Sequence, residues 1–228
     1  MKIELCVSYS IVLCLLGGVV GLAILPVNEK ENNICCMPQE WEAQMYLDYG
    51  TVFIDSNTAF AYFNGSVHAA YSTSKNKVYF HIKGFELSPL IPKPEPMNTT
   101  LLYDFENNKM YTVQFGSCQK TSLDANLTLP CIPRHAKHVS DGIVGYGNTT
   151  RLFHTYQFIT DIDVAFTITA SVFINDTKLF EPKICQPQMV HYFAGSANPD
   201  SGSLYSLEFL DMGPLVSKDI FDVPKPCL

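Results

Sequence analysis

Arg151-Leu-Phe-His-Thr-Tyr-Gln-Phe-Ile-Thr-Asp-Ile-Asp-Val-Ala-Phe-Thr-Ile-Thr-Ala-Ser-Val-Phe-Ile174 contains no Gly and no Pro. It is crowded with β-branched and aromatic residues, which lose rotamer freedom in a helix and pack well on a pleated surface. Its 24 residues exceed an ordinary strand. A turn at Thr160-Asp-Ile-Asp163 therefore divides it into two arms. In the second arm Val164, Phe166, Ile168, Ala170, Val172 and Ile174 fall on one face.

The same signals recur along the chain. Ala59 to Tyr71 alternates around Asn64-Gly65, which predicts a type I′ hairpin there. Lys77 to Ile82 alternates after the turn-like Ser72 to Asn76. Leu101 to Phe105 and Met110 to Phe115 flank Glu106-Asn-Asn-Lys109 as a second hairpin, with Leu101, Tyr103 and Phe105 on one face and Tyr111, Val113 and Phe115 on one face of the return strand. Ser88 to Pro96 carries four prolines in nine residues and reads as a long extended connection inside one domain. Ser203 to Met212 fits a strand or a short helix. The chain reads as all-β, about ten strands in a sandwich or barrel.

Composition bounds the function. The 228 residues suit one domain and include 15 Lys+Arg and 22 Asp+Glu, a net charge of −7. That charge gives no electrostatic reason to bind nucleic acid. Residues 1–23 read as a secretory signal peptide, with an apolar run after Lys2 and small residues before Pro26. Residues 24–34 form a flexible N-terminal segment, and 35–228 the single β domain. After signal removal no segment could span a membrane.

Six cysteines follow the signal: Cys35, Cys36, Cys118, Cys131, Cys185 and Cys227. An even count in a secreted chain implies three disulfides. A bridge between adjacent Cys35 and Cys36 is strained; the other pairings stay open. Five Asn-x-Ser/Thr sites, at Asn64, Asn98, Asn126, Asn148 and Asn175, predict a glycosylated surface. The charged fraction is only 16%, so sugars would supply the solubility that charges do not.

Catalytic patterns are missing. There is no Gly-x-Ser-x-Gly elbow, no His-Glu-x-x-His and no Gly-rich phosphate loop, so no enzyme and no resident cofactor are expected. Cys131-Ile-Pro-Arg-His135-Ala-Lys-His138 looks like a metal cluster, but Cys131 is expected in a disulfide and both histidines in a solvent-facing loop. Asp161 with Asp163, and Asp104 with Glu106, are carboxylate pairs at turns that could present oxygens to calcium. Alternating aromatics on a curved sheet can line an apolar cavity. The candidates are Phe60, Tyr62, Phe80, Tyr103, Phe105, Tyr111, Phe115 and Phe166.

Four segments in order give a family resemblance: Cys35-Cys36-Met-Pro-Gln-Glu-Trp41-Glu42; Tyr103 to Phe115 with Cys118-Gln-Lys-Thr-Ser-Leu123; Cys131-Ile-Pro133; and Cys185 followed by Asp219-Ile-Phe-Asp-Val-Pro-Lys-Pro-Cys227. The chain resembles secreted ependymin-related proteins of the invertebrate type. The segment from Asp55 to Pro96 has no counterpart in that pattern. The resemblance implies two curved antiparallel sheets around a hydrophobic cavity, similar to bacterial lipoprotein carriers. It implies Cys118 joined to Cys227, one of Cys35 and Cys36 to Cys185, and the other to Cys131. It also implies a glycosylated protein, extracellular or routed to lysosomes, that binds a fatty acid or other lipid and forms a homodimer. A calcium-linked matrix or adhesion glycoprotein, with a filled core and a matrix partner, is the alternative.

Overall fold

The computed structural model describes residues 33–53, 59–88, 91–159, 166–175, 183–195, 201–217 and 219–228. The signal segment and the Asp161/Asp163 turn lie outside them. Among the described residues there is no α-helix, only two 3₁₀ turns, Gly147–Thr149 and Lys225–Cys227.

Two antiparallel meanders build the domain. The first comprises β2 (Glu40–Phe53), β3 (Ala59–Ser72), β4 (Lys77–Ser88), β5 (Ile91–Asp104), β6 (Lys109–Gln114) and β7 (Ser117–Ser122). The second comprises β9 (Lys137–Val144), β10 (Arg151–Ile159), β11 (Phe166–Asn175), β12 (Ile184–Gly195) and β13 (Ser201–Gly213). β13 pairs with β2 from Ser201↔Phe53 to Gly213↔Glu42, which fuses the meanders into one sheet. The order is β7-β6-β5-β4-β3-β2-β13-β12-β11-β10-β9, with β7 and β9 at open ends. The half-open, all-β architecture is thus carried by a single continuous sheet. The short strands β1 (Cys35–Cys36) and β8 (Cys131–Ile132) pair with each other off this path, and β1 also pairs with β12.

Period-2 alternation sets the concave face. Trp41, Ala43, Met45, Leu47 and Tyr49 on β2 are buried there, as are Phe63, Val67 and Tyr71 on β3 and Val78, Phe80 and Ile82 on β4. Ile168, Ala170 and Val172 on β11 join them. Full burial of such side chains contributes about 1.5–3 kcal/mol each.

Three readings of the sequence change. Asn64-Gly65 is no hairpin: β3 runs straight through it, pairing with β2 and β4 along its length. Gly65 lies opposite Gly84, and a Cβ on Gly65 would sit 2.2 Å from the Lys83 carbonyl oxygen. The glycine serves close strand approach, a use of missing Cβ distinct from turn formation. From Ile91 onward the proline-rich stretch is part of β5, paired with β4 as Phe85↔Pro96 and Ser88↔Ile91. Pairing with β6 begins only at Thr99, so Pro92, Pro94 and Pro96 occupy a sheet edge, where a missing N–H costs little. Asp104 and Glu106 do not converge. The buried Asp104 carboxylate accepts from the Asn107 backbone N–H (3.0 Å) and Nδ2 (2.9 Å) and pairs with Lys77 Nζ (3.1 Å), which closes the turn.

Residues 214–217 and 219–228 cover part of the opposite, convex face. Phe221 and Cys227 pack with Ala70, Leu102 and Tyr111 there. Glu42 anchors this tail. Its carboxylate accepts from Ser217 Oγ (2.7 Å) and from the N–H groups of Ser217 (3.1 Å) and Val216 (3.3 Å), and it contacts His68 Nε2 at 2.7 Å. Burial alone would raise this carboxyl, but the hydrogen bonds outweigh it and hold its pKa at about 2. A depressed folded pKa means that the stabilisation is full above the ordinary carboxylate range and is lost as pH falls toward 2. The thermal midpoint should therefore fall less steeply between about pH 4.5 and 2 in Glu42→Gln than in the wild type. Parallel curves would remove Glu42 as the anchor.

Candidate functional site: an apolar cavity under a disulfide-tethered strap

Between β7 and β9 the chain crosses the concave face as a strap. Leu123, Ala125, Leu127 and Leu129 alternate inward and pack on the core, while Asp124 and Asn126 face solvent. The strap is an extended segment with strand-like periodicity but no full ladder. The Tyr71 hydroxyl donates to the Thr128 carbonyl at 3.0 Å, and burial pushes its phenol pKa up. At its end the Met37 N–H donates to the Pro130 carbonyl (2.8 Å), and β8 pairs with β1 as Cys36↔Cys131.

Three disulfides tie this layer down. Cys36 joins Cys131, Cys35 joins Cys185, and Cys118 joins Cys227. This is the connectivity that the resemblance implies, with Cys35 as the partner of Cys185. The first bridge holds the strap to β1 and the second holds β1 to β12. The third fastens the convex-face tail to the outermost strand β7.

Two apolar cavities lie beneath the end of the strap, against Pro130. The first, toward β10–β12, is lined by Phe158, Ile168, Val172, Val190 and Tyr192 and roofed by Ile132. Its volume, counted as space open to the centre of a water-sized sphere, is about 40 Å³. The second, toward β2–β4, is lined by Trp41, Met45, Tyr71, Val78, Phe80 and Phe209 and measures about 10 Å³. Met37 and Pro130 belong to both linings, so this pair forms the partition between them. On the same measure one water needs about 10–15 Å³, so neither space admits an acyl chain unless the partition shifts.

Two polar atoms among these linings are orphaned. The Tyr192 hydroxyl and Trp41 Nε1 are buried without a hydrogen-bond partner among the described residues. An unsatisfied buried group of this kind costs about 1–3 kcal/mol.

No family model matches the chain, and no curated protein matches it. Among solved structures, a LolA-superfamily protein from Nitrosomonas europaea aligns over 85% of this chain and 94% of its own, with 9% identity and a TM-score of 0.37. A likeness at that level is distant and carries no argument about fold or ligand.

Of the eight aromatic candidates, Phe80 lines a cavity. Tyr103 and Phe105 are core filler beside it, with Tyr103 edge-on to Phe80 at 6.2 Å and stacked on Phe105 at 6.2 Å. Tyr62 is on the convex face, 41% exposed, and donates to Asp48 at 3.0 Å. Tyr111 lies on the convex face under the tail. Phe115 stands 80% exposed in the β6–β7 turn with a φ of 50°, off the face predicted for it. The side chains of Phe60 and Phe166 lie outside the described residues. Period 2 identifies a face but not which face is concave, which is why convex residues entered the set. Met37, Pro130 and Ile132 are not legible as lining residues because they reach the cavity from outside the long strands, Met37 from the segment after β1 and the other two from the end of the strap. The alternation Leu123-Ala125-Leu127-Leu129 was the available signal for that layer.

Asn98, Asn126 and Asn148 are exposed, as glycan attachment requires. Asn64 is half-buried, and its Nδ2 lies in hydrogen-bond reach of Asp48 Oδ1 (2.7 Å), Tyr62 OH (3.1 Å) and Tyr46 OH, sharing its two hydrogens among them. The Asn175 side chain lies outside the described residues. Glu42, His68 and Ser217 meet on the convex face, but the carboxylate lies between the hydroxyl and the imidazole. That order anchors a tail and does not let the imidazole take the serine proton.

Proposed function

We propose that this chain is a secreted, glycosylated, ependymin-related carrier of an apolar ligand of the fatty-acid or lipid class, without catalytic activity. The observation that carries this reading is the pair of apolar cavities whose linings share Met37 and Pro130. Methionine is the most adaptable apolar side chain, so Met37 is suited to swing aside and join the two spaces. The joined channel would run beneath the strap from Phe158 to Phe80. Each CH₂ of an acyl chain buried there contributes about 0.8 kcal/mol. The orphaned Tyr192 hydroxyl and Trp41 N–H are donors that a ligand oxygen would satisfy.

Delipidated protein should take up a fluorescent fatty acid saturably. Met37→Ala removes the partition and should bind the probe more tightly, by roughly tenfold for two extra buried methylenes. The same change should lower stability by about 2–4 kcal/mol in the empty protein, because a buried Met leaves a cavity. Absence of saturable uptake by both proteins would contradict the carrier reading and favour the adhesive glycoprotein.

A further inference from the structure

We propose that His138, Asp141 and His154 form a binding site for one divalent transition-metal ion of the zinc(II) class. His138 and Asp141 stand on β9 and His154 on β10. Their ligand atoms all lie within 4.8 Å of one another. His138 Nε2 and His154 Nδ1 both approach the same Asp141 oxygen, Oδ1, at 2.7 Å.

The backbone explains how three residues at these spacings meet. In a regular strand residues three apart point to opposite faces, so His138 and Asp141 would diverge. The β9–β10 register reads Asp141↔His154, Ser140↔Thr155 and then His138↔Tyr156, with Val139 left over. That one extra residue is a bulge, and it reverses the phase of β9. His138 and Asp141 therefore share a face with His154, and the neighbouring Tyr156 ring lies 5.4 Å from the His138 ring. The reading of His138 as a loop residue near Cys131 is corrected accordingly. His138 is on a strand, and Cys131 is committed to Cys36.

The donor set selects the ion. Two imidazole nitrogens and one carboxylate oxygen suit zinc, whereas calcium prefers six to eight oxygens. Tetrahedral zinc with bonds of about 2.0–2.1 Å sets its ligand atoms about 3.3 Å apart. The two 2.7 Å contacts are shorter than this, so the side chains must turn slightly apart to admit the ion. The Asp141 carboxylate and the His138 side chain are about half exposed, so the ion has free entry and a fourth position is left for water or an external anion. The two Asp–His contacts alone are surface pairs of small worth. A metal gives the conjunction a larger effect by bridging the outermost strand to its neighbour. The site stands apart from the carrier reading and does not depend on it.

The test uses the full-length secreted protein, stripped with a chelator and titrated with zinc chloride by calorimetry. One ion per chain should bind. His138→Gln with His154→Gln should lose affinity by more than the roughly 10–100-fold that outer partners of metal sites are worth. His135→Gln should leave binding unchanged, since it lies outside the cluster. Cobalt(II) offers a second readout: intense visible absorption that vanishes in Asp141→Asn. Folding of each variant is checked by circular dichroism. No saturable zinc uptake, or uptake undiminished in the folded double variant, would overturn the assignment.

Discussion

Gly65→Ala should destabilise the protein by more than about 4 kcal/mol, the range reserved for severe packing or backbone faults. The added methyl would lie 2.2 Å from the Lys83 carbonyl oxygen and 2.7 Å from both the Gly84 Cα and the Phe63 ring. Two of the three obstacles are backbone, so no rotamer change relieves them. The reciprocal substitution, Gly84→Ala, meets the Asn64 carbonyl oxygen at 2.2 Å and should be equally severe. Gly50 on the neighbouring strand β2 has nothing within 4 Å of its would-be Cβ. Gly50→Ala is therefore the control, with an effect within about 0.5 kcal/mol. Thermal unfolding of the three variants checks the claim. A mild Gly65→Ala would mean that the β3–β4 approach is wider than described.

Removing the Cys36–Cys131 bridge by a double alanine substitution should cost about 3–5 kcal/mol. The bridge spans 95 residues, and closing a loop of that size removes much conformational freedom from the unfolded chain. Cys118–Cys227 spans 109 residues, so its loss should cost a similar amount. The two differ in consequence. The first bridge holds the strap above both cavities, and the second holds a tail on the convex face. Fluorescent fatty-acid uptake should change in rate and affinity for Cys36→Ala/Cys131→Ala and remain near wild type for Cys118→Ala/Cys227→Ala. Equal effects on uptake would show that the strap does not gate the cavity.

Much of the fold is legible in side-chain periodicity. The two arms of 151–174 appear as β10 and β11, and the 101–115 hairpin appears as β5 and β6, because both carry alternation bounded by turn residues. Asn64-Gly65 misleads for a physical reason. The dipeptide satisfies a type I′ turn, but Gly65 faces Gly84, nineteen positions further along the chain and beyond any local signal. The pairing of β13 with β2, which makes one sheet of two meanders, joins residues more than 140 positions apart and leaves no local trace. Site residues are harder to read than strands. Phe80 and Tyr62 alternate alike in the sequence, and only the curvature of the sheet puts one beneath the strap and the other in solvent. The His138–Asp141–His154 cluster is hidden by its odd spacing, which only the bulge at Val139 resolves.

The central claim is that the concave face holds an apolar ligand beneath the strap. Native mass spectrometry of the purified protein after glycosidase treatment, followed by organic extraction and lipid analysis, tests it most directly. The account predicts excess mass that leaves with the solvent and resolves into fatty acids or phospholipids. A bare mass corresponding to three disulfides and nothing else, unchanged after incubation with fatty acid, would contradict it.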